Sequence, residues 1–492
     1  MSKVTVSARS LGPSIDRRIF GHFLENMGRS IYAGGLLDKN GRPRAEIIDK
    51  IKALHVPSLR WPGGLFADGY HWTNGIGEHR PKKRNLYWGQ FGSWLGPTDL
   101  NQFGTDEFLQ LCEHLGAEPY VNINFANGTP QEAADWVAYC NDRPSGISGR
   151  LRAANGHDAA YNVRVWGIGN EQYGFWAFGH TTAERYARRY LEFHHAMSEA
   201  DPGITPVAVG ATEMWPNWNP TVLHILQEKL RYLSMHVYLP GTNVPYLLMR
   251  LPNNAKTHYA LSAAGYEMSR QIHAAADQIT AEYGRETHVR LAVDEWNLWW
   301  WWLQAYKVWW TMRDAVAVGG MLGALVENCQ HVAMANIAQL INVLGVIRTS
   351  PTAVVATPLY HVLEMFASTL SGFRLETREE GPKYSTSKLG GIPAVTDAPM
   401  TPVYASLDGD EVGMIVVQRC YEHGMVIELE APRVRVESVR ILSGPSPEAR
   451  NDFEHPDRVR VQDVETTGEI GGVTLDMPPV SIAAVKGRVV KD

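Results

Sequence analysis

The chain is poor in the features that would tie it to a membrane, a metal or a nucleic acid. Its four cysteines, Cys112, Cys140, Cys329 and Cys420, are scattered through 492 residues and never fall in a C-x-x-C spacing. That argues against a disulfide framework and for reduced thiols in a cytoplasmic protein. No stretch approaches the roughly 20 apolar residues that span a bilayer. The polar, alternating start Met1-Ser-Lys-Val-Thr-Val-Ser-Ala-Arg-Ser10 lacks the apolar core of a secretory signal. Lys and Arg number 46 against 52 Asp and Glu, a net charge of −6 with no basic block. Nucleic acid and anionic membrane surfaces are therefore not expected as partners. No H-E-x-x-H or similar spacing occurs, and His194-His195 falls mid-helix, so no metal site is expected. Internal repeats and low-complexity segments are also missing. Tryptophan, by contrast, is abundant at 16 residues. Aromatic faces suit the C–H faces of sugars as well as a protein core.

What remains is an alternation. Apolar, β-branched runs at 19–25, 56–62, 119–125, 163–171, 205–211, 232–238, 289–297 and 331–339 read as strands. Segments of helical period at 44–54, 105–115, 130–140, 182–200, 262–283 and 305–327 lie between them. Thr129-Pro130 with Glu132 is a helix start with proline at the first helical position. Eight such repeats predict a (β/α)8 barrel over 16–360, and the first strand is followed by no Gly-rich phosphate loop that would favour a doubly wound sheet. After a short helical piece at 360–370 the texture turns to alternating strands at 403–407, 412–419, 425–430, 434–442 and 480–485. These predict an antiparallel β-sandwich of jelly-roll type over 361–492, joined by residues 1–15. The segment 381–400 is expected to be a mobile loop.

Two strand ends carry the chemistry. Val163–Trp176 (V-R-V-W-G-I-G-N-E-Q-Y-G-F-W) delivers Asn170 and Glu171 among aromatics, and Val289-Arg-Leu-Ala-Val-Asp-Glu-Trp-Asn297 delivers Glu295. Two carboxylates at two strand ends, set in tryptophan, are what cleavage of a glycosidic bond requires. One protonates the leaving oxygen, and the other acts as nucleophile or base. The remaining strand ends add Glu25 and Asn26, Arg60, Asn122 and Asn124, His236 and Tyr238, and Asn336 and Gln339, all on the face where barrel active sites lie.

Six of these segments occur in the order seen in a known family. Gly21-His-Phe-Leu-Glu25, Arg60-Trp-Pro-Gly-Gly64, Trp166-Gly-Ile-Gly-Asn-Glu171, His236-Val-Tyr238, Asp294-Glu-Trp-Asn297 and Asn336-Ile-Ala-Gln339 resemble glycoside hydrolase family 51, the α-L-arabinofuranosidases, from about residue 16 to 345. The C-terminal part is similar in character only. The resemblance implies a retaining double displacement with Glu171 as acid/base and Glu295 as nucleophile, needing no cofactor. It implies that Glu171 has a raised pKa, pushed up by the charge of Glu295. Glu25 and Asn170 would hold furanose hydroxyls, Arg60 would orient a carboxylate, and Tyr238 and Gln339 would touch nucleophile or sugar. His236 would be a pocket wall or a partner of Glu171, and Trp299 part of the sugar surface. Arg60 as a bridge between strand ends and His236 as a core histidine are the lesser alternatives, whereas Trp300, Trp301 and Trp302 suit packing on a loop or subunit as well as contact with sugar.

The implied protein is a cytoplasmic homo-oligomer, a hexamer in the family. It would trim arabinofuranosyl residues from arabinoxylan- or arabinan-derived oligosaccharides. Three departures bear on this. Leu65 stands where the family usually has Asn, Asn26 where it has His, and the segment after Trp299 is short and rich in Trp. They keep open the same mechanism on a β-D-galactofuranoside, β-D-xyloside or β-glucan. A non-catalytic carbohydrate-binding barrel is the remaining alternative, and both glutamates argue against it.

Overall fold

The computed structural model describes residues 1–85, 98–241, 251–299, 304–466, 468 and 470–490. Trp300, Trp301 and Trp302 lie outside the described residues. Eight parallel strands close into a barrel: β1 (Gly21–Phe23), β2 (Ser58–Trp61), β3 (Glu118–Ile123), β4 (Val165–Ile168), β5 (Thr205–Ala208), β6 (Tyr232–Pro240), β7 (Arg290–Trp299) and β8 (Val332–Ala338). Each overlaps one run expected from sequence. Of the polar residues that end those runs, Arg60, Asn122, His236, Tyr238, Glu295, Asn297 and Asn336 lie within the strands, and Glu25, Asn26, Asn124, Asn170, Glu171 and Gln339 lie just beyond them.

A helix follows every strand, as a (β/α)8 barrel requires. Two of them show why local sequence suffices to start and stop a helix. Thr129 accepts a bond from the Glu132 N–H with Pro130 at the first turn, and Gly116, at φ 67°, ends Thr105–Leu115 in the left-handed conformation. Elsewhere the pattern misleads. The segment 305–327 is not one helix: the chain leaves the short helix Gln304–Lys307, and Thr311 and Asp314 then form a capping box that starts Met312–Glu327. The segment 262–283 is helical over Ala264–Tyr283, but a separate helix, Ala255–Ser262, precedes it and was not expected. The nine-residue helix Trp218–Leu226 is too short to stand out by period.

Between Ala315 and Val326 the helix Met312–Glu327 is apolar on every side, the mark of a helix buried all round. One side faces the barrel and the other the C-terminal sheet. A Cβ on Gly323 would fall 1.9 Å from the Tyr404 ring, and one on Gly319 3.1 Å from Ile482. Small residues therefore let the sheet seat directly on this helix, and one hydrophobic core runs through both.

The C-terminal sheet orders Phe373–Glu380, Val403–Asp408, Glu411–Gln418, Ser481–Val489 and Met425–Ser443 as antiparallel neighbours. The segments 425–430 and 434–442, expected as two strands, are one 19-residue strand with a register shift between Ala431 and Arg435. Arg433 at φ 71° marks the bend. The first half pairs with Ile470–Met477 and the second with Ser481–Val489. The N-terminal strand Ser2–Ser14 runs antiparallel to Phe373–Glu380 and parallel to the first half of the long strand. The sheet thus folds over a core that includes Val4, Val6, Met414, Ile427 and Leu475. The segment 381–400 is not a plain loop. It contains the paired strands Lys383–Thr386 and Val395–Pro399, and the Gly391 N–H donates to the Pro240 carbonyl at the end of β6.

Candidate active site

At the C-terminal ends of β1, β2, β4, β6, β7 and β8 the predicted residues converge on one buried cluster. Arg60, 1% exposed, is its centre. One guanidinium nitrogen donates to Glu295 Oε1 at 2.8 Å and to the Asp294 carbonyl at 3.2 Å. The other donates to Asn170 Oδ1 at 2.8 Å. The Tyr238 hydroxyl donates to the second Glu295 oxygen at 2.9 Å. Glu25 is held by the N–H groups of Gly64 and Phe66 at 3.0 and 3.1 Å and by the Gln339 amide at 2.8 Å. Trp299, half-buried, sets its ring edge-on to Tyr238 with centroids 5.2 Å apart.

The glycines after β2 make this convergence possible. A Cβ on Gly63 would lie 2.4 Å from Glu25, and one on Gly64 2.5 Å from Glu295 Oε1. Leu65 is buried between the two N–H groups that hold Glu25. Asn26 turns its side chain to Asp99 instead of to the carboxylates.

Glu171 is presented differently from Glu295. Strand β4 stops at Ile168, Gly169 turns at φ 95°, and Glu171 sits at φ 56° in the left-handed region. Left-handed backbone in a non-glycine residue is unfavourable and concentrates at functional sites. The Glu171 carboxylate accepts from the Trp176 indole at 2.5 Å and the Tyr173 hydroxyl at 3.3 Å, and shares a 2.8 Å contact with His236 Nδ1. The same nitrogen is 3.5 Å from Glu295 Oε2. His236 thus stands between the two carboxylates, and one oxygen of Glu171 lies within 4.8 Å of one oxygen of Glu295.

Asp294 is the site residue to which the sequence alone assigns no role. It is fully buried, accepts from Tyr120 at 2.7 Å and Ser234 at 2.5 Å, and lies 3.5 Å from His236 Nε2. Alternation along a strand would send neighbours 294 and 295 to opposite faces. A register shift on both sides of β7 around Asp294 removes that constraint, and both carboxylates reach Arg60 and His236. A bulge leaves no signal in composition, which is why Asp294 escaped notice. Trp176 and Tyr173 were visible as part of an aromatic run, but their bonds to Glu171 depend on the loop's fold.

The charges settle where protons sit. Burial opposes a charged His236, but Glu295, Asp294 and Glu171 overcome it and push the imidazole up to about 10. Burial favours a neutral Glu171, yet the hydrogen bond and charge of His236, with Trp176 and Tyr173, hold it below its ordinary value. The expected rise does not occur, because His236 carries the proton. Burial and the charge of Glu295 push Glu25 up to about 7. Burial likewise lifts Asp68, behind the Glu171 loop, to about 7. Asp294 is held well below its ordinary range by Arg60 and His236 against the effect of burial.

Among the described residues, Glu171, His236 and Glu295 have the mutual spacing of a metal-ligand set. Their chemistry fits a shared proton better. A charged imidazole offers no lone pair, and Arg60 already neutralises Glu295.

The Glu171–His236 pair has a testable consequence. Interacting groups titrate as a unit, and this one retains a proton up to the high pKa of His236. The alkaline limb of kcat/KM should therefore move to lower pH in His236→Asn, towards the carboxylate range, while the acid limb stays in place. A pH–rate series on both proteins measures it, and an unmoved alkaline limb would remove His236 from the proton inventory.

Comparison with known proteins extends the likeness beyond the barrel. Residues 50–253 match the family described as alpha-L-arabinofuranosidase 1 domain, and residues 294–481 the alpha-L-arabinofuranosidase C-terminal domain. The chain is 32% identical over 467 residues to alpha-L-arabinofuranosidase C of Emericella nidulans, covering 89% of this chain and 88% of that one. It is 30% identical over 406 residues to the intracellular exo-alpha-(1->5)-L-arabinofuranosidase of Halalkalibacterium halodurans, covering 77% and 78%. The arabinose complex of the Thermotoga maritima alpha-L-arabinofuranosidase superposes with a TM-score of 0.87 at 30% identity, over 99% of this chain and 100% of that one. The likeness sequence reasoning confined to residues 16–345 thus continues through the C-terminal sheet.

Proposed function

The chain belongs to glycoside hydrolase family 51, the α-L-arabinofuranosidases, and from that premise we propose that it releases terminal α-L-arabinofuranosyl residues with retention of configuration. The observation that supports retention is that one oxygen of Glu171 and one of Glu295 lie within 4.8 Å of each other, with His236 Nδ1 touching both carboxylates. Retaining pairs sit roughly 5–5.5 Å apart, whereas inverting pairs leave about 6.5–9.5 Å for a water.

The chemistry follows from the hydrogen bonds. Arg60 and Tyr238 hold Glu295 with both oxygens fixed, so it attacks the anomeric carbon as a preoriented carboxylate. As the glycosidic bond breaks, the leaving oxygen takes the proton held between His236 and Glu171. Esterification then removes the charge of Glu295, the largest support for a protonated His236. Glu171 is left to take a proton from the water that frees the sugar. Asn170, fixed by Arg60, and Glu25, fixed by Gln339, are placed to bind furanose hydroxyls.

The Halalkalibacterium halodurans relative supports an exo-acting enzyme inside the cell. Its substrates there would be oligosaccharides derived from arabinoxylan or arabinan. The family resemblance supports a homo-oligomer, a hexamer. A panel of nitrophenyl glycosides tests the sugar: α-L-arabinofuranoside, β-D-galactofuranoside, β-D-xyloside and β-D-glucoside. Arabinofuranoside should dominate. Dominance of another sugar would keep the mechanism and point to Leu65, where an apolar side chain replaces a polar one beside Glu25.

A further inference from the structure

We propose that Asp68 is a positioning residue for the acid/base, acting through Gln172. The inference rests on Glu171 being the proton donor, as argued above.

Asp68 lies in the turn Ala67–Gly69 and is wholly buried, yet it touches none of the reacting groups. Its two oxygens accept from the Gln172 side-chain amide at 3.2 and 3.0 Å. The backbone N–H groups of Phe125 and Ala126, beyond β3, and of Gly179, in the loop beyond β4, also face it. One carboxylate therefore ties together the segments that follow β2, β3 and β4.

Gln172 directly follows Glu171 and is itself fully buried. Its carbonyl accepts from the Thr181 N–H at 2.9 Å and from His180 at 3.1 Å, so the loop folds back on it. That loop carries Trp176, which donates to Glu171. A Cβ on Gly169 would fall 2.3 Å from Gln172 Oε1, so the side chain is also packed against the turn that precedes Glu171. Glu171 itself has the unfavourable left-handed backbone, φ 56°, which persists only when its surroundings over-determine it. Gln172 is the adjacent anchor, and Asp68 is what Gln172 is anchored to.

A residue that merely holds the fold would lower activity on all substrates alike. One that aims the proton donor has a distinct signature, because a good leaving group needs no proton. The test measures kcat/KM of wild type, Asp68→Asn and Gln172→Leu on two arabinofuranosides. One carries a 2,4-dinitrophenyl group and the other an arabino- or xylo-oligosaccharide aglycone. kcat/KM reports bond cleavage and not the later hydrolysis of the ester, so the base role of Glu171 does not enter.

The expected loss is about 10–100-fold on the oligosaccharide, the scale of a misplaced general acid, and less than about 3-fold on the dinitrophenyl substrate. Gln172→Leu removes the link without changing the buried carboxylate, and should show the same asymmetry if Asp68→Asn fails to fold. Equal losses on both substrates, or no loss on either, would overturn the proposal. The comparison is between leaving groups on one sugar, so it applies to whichever glycoside the wild type cleaves. A wrong sugar shows as an inert arabinofuranoside in the wild type, and a wrong role for Asp68 as symmetric losses.

Discussion

Replacing Glu295 by alanine should reduce kcat/KM on nitrophenyl α-L-arabinofuranoside by on the order of 10^4-fold or more, the scale seen when a covalent nucleophile is removed from a hydrolase. The size follows from what the side chain supplies. It forms the covalent bond, it is held by two donors at 2.8 and 2.9 Å, and its charge is the largest support for a protonated His236. No neighbouring group replaces it. Asp294 is fixed by Tyr120, Ser234 and Arg60. Glu25 is fixed by two N–H groups and Gln339. Added azide should restore part of the rate by entering the face that Glu295 occupied, giving the β-arabinofuranosyl azide from the α-substrate. Proton NMR of the product reads both the rescue and its configuration. Unchanged hydrolysis, or an α-azide, would show that Glu295 is not the nucleophile. Removing its charge should also lower the pKa of Glu25, which that charge helps to raise.

The split between what sequence revealed and what it hid has a physical basis. Strand positions were legible because every barrel strand lies in a short run rich in apolar and aromatic residues, as a parallel strand buried on both faces must. The site was legible in outline because the polar residues cluster where those runs end. Asp294 was not, since its orientation depends on an irregularity in β7 that composition does not encode. Nor was the proton distribution. Reading Glu171 and Glu295 as a pair predicts a raised Glu171, and only the placement of His236 at 2.8 Å reverses the direction. In the C-terminal sheet, the alternation of 425–430 and 434–442 reads as two strands, where the chain only bends. The segment 381–400, rich in small and polar residues, pairs with itself and reaches Pro240 through contacts distant in sequence.

Arg60→Met should be the most destabilising single change in the site, by about 3–5 kcal/mol, because it leaves buried carboxylates without their counter-charge. That is a large fraction of an ordinary folding free energy of about 5–15 kcal/mol. Arg60 is 1% exposed, lies 3.8 Å from the Asp294 carboxylate and donates to Glu295 and Asn170. The denaturant midpoint should fall at an unchanged slope. The pH dependence identifies the cause. Asp294 is held well below its ordinary value in the folded protein, so its stabilisation is complete above the unfolded pKa of about 3.9 and is lost as pH falls towards the depressed folded value. Without Arg60 that depression shrinks, and burial instead favours the neutral acid. The stability gap between wild type and variant should therefore be widest near neutrality and narrow once pH falls through the higher folded pKa that Asp294 has in the variant. Arg60→Lys keeps a charge but not the planar fork that reaches Glu295 and Asn170 together. It should recover much of the stability and little of kcat. If Arg60→Met unfolds at the wild-type midpoint, the guanidinium is not what holds the three side chains in register.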